Sequence, residues 1–135
     1  APQPANLLVS NSQRVVVSGN TFNPREFERP GTIAFEDCSD CIIANSTLHK
    51  FATASGAVIL NRCHGFTING LNLSDCGSGF VLNNTTDTII TNCRVTRTTE
   101  GSADISINDS SKNILLIGNA FGGATKIATE ATVTD

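Results

Sequence analysis

Short apolar runs recur along the chain in pairs, with polar residues between them. The second run of each pair aligns without gaps, over residues 15–22, 41–48, 66–73, 88–95 and 114–121. These runs begin 26, 25, 22 and 26 residues apart. A shorter run precedes each of them, over residues 7–9, 33–35, 58–60, 80–82 and 105–107. Alternation with a period of two, punctuated by Gly, Asn and Ser at fixed offsets, indicates β-strands rather than helices.

A repeat of 22–26 residues that holds two or three strands is typical of a solenoid, in which each strand pairs in parallel with its copy about 4.8 Å away. Equivalent residues of successive coils then form columns. The predicted inward columns are Val9, Phe35, Leu60, Leu82 and Ile107; Val17, Ile43, Ile68, Ile90 and Leu116; and Phe22, Leu48, Leu73, Val95 and Phe121. We therefore expect one all-β domain over residues 1–135, with about five to six coils. One extra residue in the last repeat is expected to form a bulge.

The composition of the chain argues against two kinds of binding partner. The chain is 39% hydrophobic, carries a formal net charge of −3 and has no basic run, which argues against nucleic acid as a partner. No apolar stretch approaches the roughly 20 residues of a membrane span, so no membrane partner is expected. The sequence opens with Ala-Pro-Gln-Pro rather than with methionine. We interpret the chain as an excerpt or a processed part of a longer protein.

Two of the repeats carry a family resemblance. Residues 15–22 and 114–121 both read apolar-x-apolar-x-Gly-Asn-x-Phe. Blocks of this kind resemble the repeats of right-handed parallel β-helix proteins, the pectate lyase-like superfamily, and the resemblance covers roughly residues 6–125. It implies a right-handed parallel β-helix. The superfamily includes polysaccharide lyases, hydrolases, epimerases, phage tailspikes, adhesins and non-catalytic domains, so the resemblance leaves open whether the chain is an enzyme.

Three functions are compatible with this fold. The first is a non-catalytic domain of a secreted or cell-surface, carbohydrate-associated protein, acting as a scaffold or binding a glycan. The second is a lyase, hydrolase or epimerase domain that acts on uronate-containing polysaccharides. The third is a segment of an oligomeric fibre or tailspike.

Candidate catalytic residues lie in the unequal turns that follow the last strand of each coil. We call the stacked turns, residues 23–32, 49–56, 74–79, 96–103 and 122–125, the long-loop edge. Resemblance to the lyases of this fold implies a Lys or Arg base, with cationic side chains or Ca²⁺ neutralising the sugar carboxylate. Lys50 as the base, His49 as the acid, Arg97 as the carboxylate clamp and Asp75 as a partner form such a set. The plainer alternative is that these charges gather in the turns because the turns are hydrated.

Candidate substrate-binding residues share the same edge. The chain has no Trp or Tyr, so a glycan would have to stack on Phe27 or Phe51 or be held by hydrogen bonds. Arg25, two residues before Phe27, is the third candidate substrate-binding residue. The alternative use of both phenylalanines is to pack these loops against the body of the solenoid.

The five cysteines include a Cys-x-x-Cys pair, Cys38 and Cys41, and Cys63 lies one repeat later, next to His64. A zinc site needs four converging ligands, but Cys41 falls at an inward position and His64 is expected to point away from Cys63. No metal site is therefore expected. Cys38 and Cys63 share an offset with Ser12 and Thr85, which predicts a ladder of small residues. A Cys38–Cys63 disulfide fits the coil spacing, but the odd count favours reduced, buried thiols.

Both strands of each repeat also carry apolar residues at positions predicted to face outward. The outward column of the second strand is Val16, Ile42, Thr67, Ile89 and Leu115; that of the first strand is Leu8, Ala34, Ile59, Val81 and Ser106. A contiguous apolar patch is typical of an interface. We expect self-association, or docking against a neighbouring domain. The alternative is that flanking loops or the tail over residues 124–135 fold back over one stripe.

Overall fold

The described part of the chain consists of short β-strands and contains no helix, so none of it forms a helix that could cross a membrane. The computed structural model describes residues 7–22, 32–49, 56–96, 103–121, 124–127 and 133–134. Coils one and two hold β1 (Leu7–Ser10), β2 (Val16–Ser18), β3 (Thr21–Phe22), β4 (Ile33–Glu36), β5 (Ile42–Ala44) and β6 (Thr47–His49). Coils three and four hold β7 (Val58–Asn61), β8 (Thr67–Asn69), β9 (Asn72–Ser74), β10 (Phe80–Asn83), β11 (Thr86–Thr91) and β12 (Arg94–Thr96). The fifth coil and a partial sixth hold β13 (Ala103–Ile107), β14 (Lys112–Ile117), β15 (Ala120–Phe121), β16 (Ala124–Ile127) and β17 (Val133–Thr134).

Equivalent strands of successive coils pair in parallel and form three sheets along the solenoid. The first sheet has the order β1-β4-β7-β10-β13-β16, the second has the order β17-β14-β11-β8-β5-β2, and the third has the order β15-β12-β9-β6-β3. No strand pairs with its sequence neighbour, because each coil must close before the chain returns to the same sheet. The predicted all-β, parallel β-helix architecture is confirmed.

The register of the sheets follows the predicted alignment. In the second sheet Val17 pairs with Ile43, Ile43 with Ile68, and Ile68 with Ile90. The predicted columns of the first and third sheets are paired in the same way. Most of these residues are fully buried, and Phe35 packs edge-on against Phe66 with a distance of 5.1 Å between the ring centroids. Stacked apolar columns therefore form one continuous core along the axis.

The corners between strands use left-handed backbone at repeated positions. The column at the end of the second strand is Gly19, Asn45, Gly70, Asn92 and Gly118, all with positive φ. Gly, Asn and Asp tolerate this conformation best, which explains why these residue types recur at fixed offsets. Two arginines, Arg14 and Arg62, also adopt it, with φ of 56° and 55°.

The extra residue of the fifth coil lies in a corner rather than in a strand. The amide of Ser111 donates to the carbonyl of Asn108 at 3.1 Å and closes a tight turn. The expected bulge at this point is therefore wrong: a polar corner can absorb one residue without disturbing the sheet register on either side.

The outward columns of the two sheets differ in exposure. In the second sheet Val16 is 62%, Ile42 41% and Ile89 40% exposed, as predicted. In the first sheet Ala34 is only 6% exposed, which corrects its placement on a solvent-facing stripe. The segment that precedes β7 covers part of this stripe: a Cβ on Gly56 would lie 2.6 Å from Val81 Cγ2.

The tail does not fold back over either stripe where it is described. Strand β16 pairs with β13 and strand β17 pairs with β14, so both extend existing sheets by one further row. For residues 124–127 and 133–134 this arrangement corrects the alternative that assigned the tail as a cover.

Candidate functional site

The structure describes two of the seven predicted site residues, His49 at the end of β6 and Asp75 just after β9. The other five, Arg25, Phe27, Lys50, Phe51 and Arg97, lie outside the described residues. The proposed catalytic and substrate-binding roles on the long-loop edge therefore stay predictions.

His49 and Asp75 lie close together across consecutive coils. His49 Nδ1 shares a hydrogen bond of 2.8 Å with Ser74 Oγ, and the same nitrogen lies 3.8 Å from Asp75 Oδ2. A nucleophilic triad needs the hydroxyl on one ring nitrogen and the carboxylate on the other. Both groups face Nδ1 here, so Ser74 is not arranged as an activated nucleophile. These two contacts fix the orientation of the imidazole ring.

A second histidine repeats this arrangement at a different corner. His64 Nδ1 shares a hydrogen bond of 2.8 Å with Thr86 Oγ1 and lies 3.3 Å from Asp87 Oδ2. Asn113 of the next coil donates to Asp87 Oδ1 at 2.6 Å and fixes that carboxylate. Because these four side chains are exposed or partly exposed at one corner, their ring and amide groups are available to a ligand.

A shallow polar groove lies at this corner, between the first and second sheets. It encloses about 460 Å³ and is lined by Asn11, Ser12, Gln13, Asp37, Cys38, Ser39, Arg62 and His64. We call it the corner groove. Its residues come from the same turn in coils one, two and three, so hydrogen-bonding groups repeat along the axis at the coil spacing of about 4.8 Å.

An ion pair spans two coils within the corner groove. Arg62 donates from Nε to Asp37 Oδ1 at 2.7 Å and from Nη2 to Asp37 Oδ2 at 3.1 Å. The hydrogen bonds from Arg62 lower the pKa of the Asp37 carboxyl, and the carboxylate in turn raises the pKa of Arg62. This paired geometry holds the guanidinium plane in one orientation at the groove surface.

Sequence reasoning missed this pair, although the signal was present. Asp37 and Arg62 occupy the same turn position in successive repeats, 25 residues apart. Asn11 fills this position in the first coil and Asn84 fills it in the fourth. Aligned by column like the strand positions, the turn positions place these opposite charges on adjacent rungs.

All five cysteines are buried and none of them forms a disulfide in this structure, in agreement with the expected reduced, buried thiols. The predicted small-residue ladder is present, and its members Ser12 and Cys38 line the corner groove. Cys38 Sγ donates to the carbonyl of Val9 at 3.4 Å, and Cys63 Sγ donates to the carbonyl of Phe35 at 3.3 Å. Burial raises the pKa of Cys63 to about 11, and the pKa values of Cys41 and Cys93 are raised for the same reason.

Metal-ligating side chains do not converge in the part of the chain that the structure describes. No group of three or more His, Cys, Asp or Glu residues there is arranged to hold a metal ion. Cys63 points into the core while its neighbour His64 points out, as the sequence predicted.

Comparison with known proteins supports the fold assignment. A family model described as "Periplasmic copper-binding protein (NosD)" matches residues 3–135. No curated protein matches the chain. The crystal structure of a candidate glycosyl hydrolase from Parabacteroides merdae ATCC 43184 superimposes with a TM-score of 0.67 at 11% sequence identity. The match covers 97% of this chain and 64% of that chain, so this chain spans less than two thirds of that structure.

Proposed function

The chain belongs to the NosD family of parallel β-helix proteins, and from that premise we propose that it is a non-catalytic domain that binds a carbohydrate polymer along its coils. The corner groove carries this proposal. It runs parallel to the solenoid axis, and coils one to three present side-chain amides, hydroxyls or charged groups to it. A glycan is a repeating chain of hydroxyl groups, which can satisfy such a row of donors and acceptors one coil after another.

The groove is suited to binding rather than to cleavage. A glycoside hydrolase needs two carboxylates about 5–9 Å apart on either side of the scissile bond. Asp37 is the one carboxylate among the residues that line the corner groove, and it is bound to Arg62. Without an aromatic platform in this lining, affinity would come from hydrogen bonds and stay modest.

The description of the family as periplasmic supports an exported location. We propose a periplasmic, secreted or cell-surface domain, where extracellular and cell-wall polysaccharides are the accessible polymers. Docking against a neighbouring domain or a second copy would use the exposed stripe of the second sheet.

A lyase acting on uronate polymers is the second candidate, favoured by the oriented imidazole of His49 beside Ser74 and Asp75. In that mechanism Lys50 would remove the proton, His49 would supply one, and Arg97 would clamp the uronate carboxylate. Ca²⁺ would enter only in this alternative. Its signature is an unsaturated, UV-absorbing sugar product, which simple binding does not generate.

The test is a binding screen of the purified chain against a panel of neutral and uronate-containing glycans, followed by calorimetry on the best ligand. We expect binding that Arg62→Ala weakens at least several-fold. Arg94→Ala is the matched control, because Arg94 is an exposed arginine on the third sheet, and it should bind like the wild type. Lack of binding to every glycan, or equal loss in both variants, would refute the proposal.

A parallel assay decides between binding and cleavage. Absorbance that rises on a uronate polymer, and that Lys50→Ala and Arg97→Ala abolish, would establish the lyase instead. Constant absorbance with retained binding supports the non-catalytic function.

A further inference from the structure

The family description names copper, so the residue types that can ligate copper decide whether this chain could hold it. Proteins bind copper through imidazole, thiolate and thioether groups. The chain has two histidines, five cysteines and no methionine. Both histidines and all five cysteines lie within the described residues, so the whole set of preferred copper ligands can be placed.

The two histidines do not form a shared site. His49 lies at the end of a third-sheet strand, whereas His64 lies at the corner between the first and second sheets. Each has its Nδ1 engaged by a hydroxyl of the next coil, Ser74 Oγ for His49 and Thr86 Oγ1 for His64. Among the described residues, neither histidine belongs to a group of three or more His, Cys, Asp or Glu side chains that could hold a metal ion.

The thiols are engaged as hydrogen-bond donors. Every cysteine donates from Sγ to the main-chain carbonyl two residues earlier, at 3.3–3.5 Å. The single thiol proton of Cys38, Cys63 and Cys76 is shared between that carbonyl and a carbonyl of the preceding coil. A copper ion would replace these thiol protons and would remove each of these hydrogen bonds inside the core.

The same ladder contains hydroxyls in place of thiols in the later coils. Thr85 Oγ1 donates to the carbonyl of Leu60 at 3.2 Å, and Ser111 Oγ donates to the carbonyl of Leu82 at 3.4 Å. These bonds repeat those of Cys38 and Cys63, coil for coil. The position therefore requires a small buried donor, and it does not require a metal ligand.

We infer that this chain carries no copper site of its own built on histidine or cysteine, and that Cys38 and Cys63 serve as structural hydrogen-bond donors. The inference is independent of glycan binding, which is assigned to the amides, hydroxyls and charged groups of the corner groove rather than to the Cys38 thiol in its lining. This chain would then lack the copper binding that its family's description names.

The first test loads the reduced chain with Cu(I), and in a second sample with Cu(II), in competition with a chromophoric chelator. We expect the wild type to retain no more copper than the His49→Gln/His64→Gln variant or the Cys38→Ser/Cys63→Thr variant. One copper per chain, or one per two chains, that is lost in either variant would overturn the inference.

The second test compares two substitutions of nearly equal shape at one position. Cys63→Thr should keep the thermal unfolding midpoint near that of the wild type, because threonine occupies the equivalent position at Thr85. Cys63→Val should lower it, since valine fills the space but cannot donate to the carbonyl of Phe35. Equal midpoints for the two variants would overturn the donor role.

Discussion

Arg62 and Asp37 occupy the same corner position in consecutive coils, and the guanidinium of Arg62 binds both oxygens of the Asp37 carboxylate. Both residues hold left-handed backbone, with φ of 55°. Asn11 and Asn84 at the same corner are left-handed too, so this backbone conformation belongs to the repeat. The pair is the charged part of the corner groove.

This pairing predicts the titration of Asp37. Because the hydrogen bonds from Arg62 lower the pKa of the folded carboxyl, the pair stabilises the fold above the ordinary carboxyl range near pH 4 and is lost as the pH falls through the lowered value. An NMR titration should show the Asp37 midpoint rising towards the ordinary value in Arg62→Gln. A midpoint equal to that of the wild type would mean that the pair does not persist in solution.

Gly79 is predicted to be intolerant of a side chain. A Cβ at this position would overlap the carbonyl oxygen of Asp104, which belongs to the backbone of the next coil. Gly79→Ala should lower the free energy of unfolding by about 1–3 kcal/mol, as overpacking does.

Gly19→Ala is the control for Gly79. Gly19 has open space around its Cα, so the added Cβ meets only the cost of its positive φ, about 1 kcal/mol. Denaturant unfolding of both variants measures the difference. If Gly79→Ala were the more stable of the two, the close approach of Gly79 to Asp104 of the fifth coil would be wrong.

Burial of the Cys63 thiol predicts that the stability of the fold falls at alkaline pH. The pKa of Cys63 lies at about 11 in the folded chain against an ordinary value of 9.0. The neutral thiol therefore stabilises the fold below pH 9, and this contribution is lost as the pH rises towards 11. Alkylation at pH 8 should leave the five cysteines unlabelled in the native state and should label all of them in denaturant. Rapid labelling of Cys63 in the native state would contradict its burial.

The exposed stripe on the second sheet predicts association with a second copy of the chain. Five rungs span only about 19 Å, so this self-association should be weak and depend on concentration. Ile42→Lys and Ile89→Lys should shift light scattering towards the monomer. Asn72→Lys adds the same charge on the third sheet and should leave the association unchanged. A wild type that is monomeric at every concentration would refute this prediction.

The strands could be predicted because every coil places an apolar residue at the same inward position, where it stacks on its equivalents in the neighbouring coils. Val17, Ile43, Ile68 and Ile90 follow this pattern despite a coil shortened to 22 residues, and the sheet register follows from it. The corners were harder, because a left-handed position filled by Arg62 lacks the Gly, Asn or Asp that signals it. On the first-sheet stripe Leu8 is 57% exposed, as predicted, but Ala34 is buried. Gly56 lies close to Val81 of the same stripe, and periodicity does not encode such cover.

Binding along the corner groove is the central claim, and amide chemical-shift mapping with the best oligosaccharide of the screen tests it most directly. We predict that the shifts gather at residues 11–13, 37–39 and 62–64, on three successive coils. Shifts confined to residues 49 and 74–75 on the long-loop edge, or none at saturating ligand, would contradict the claim.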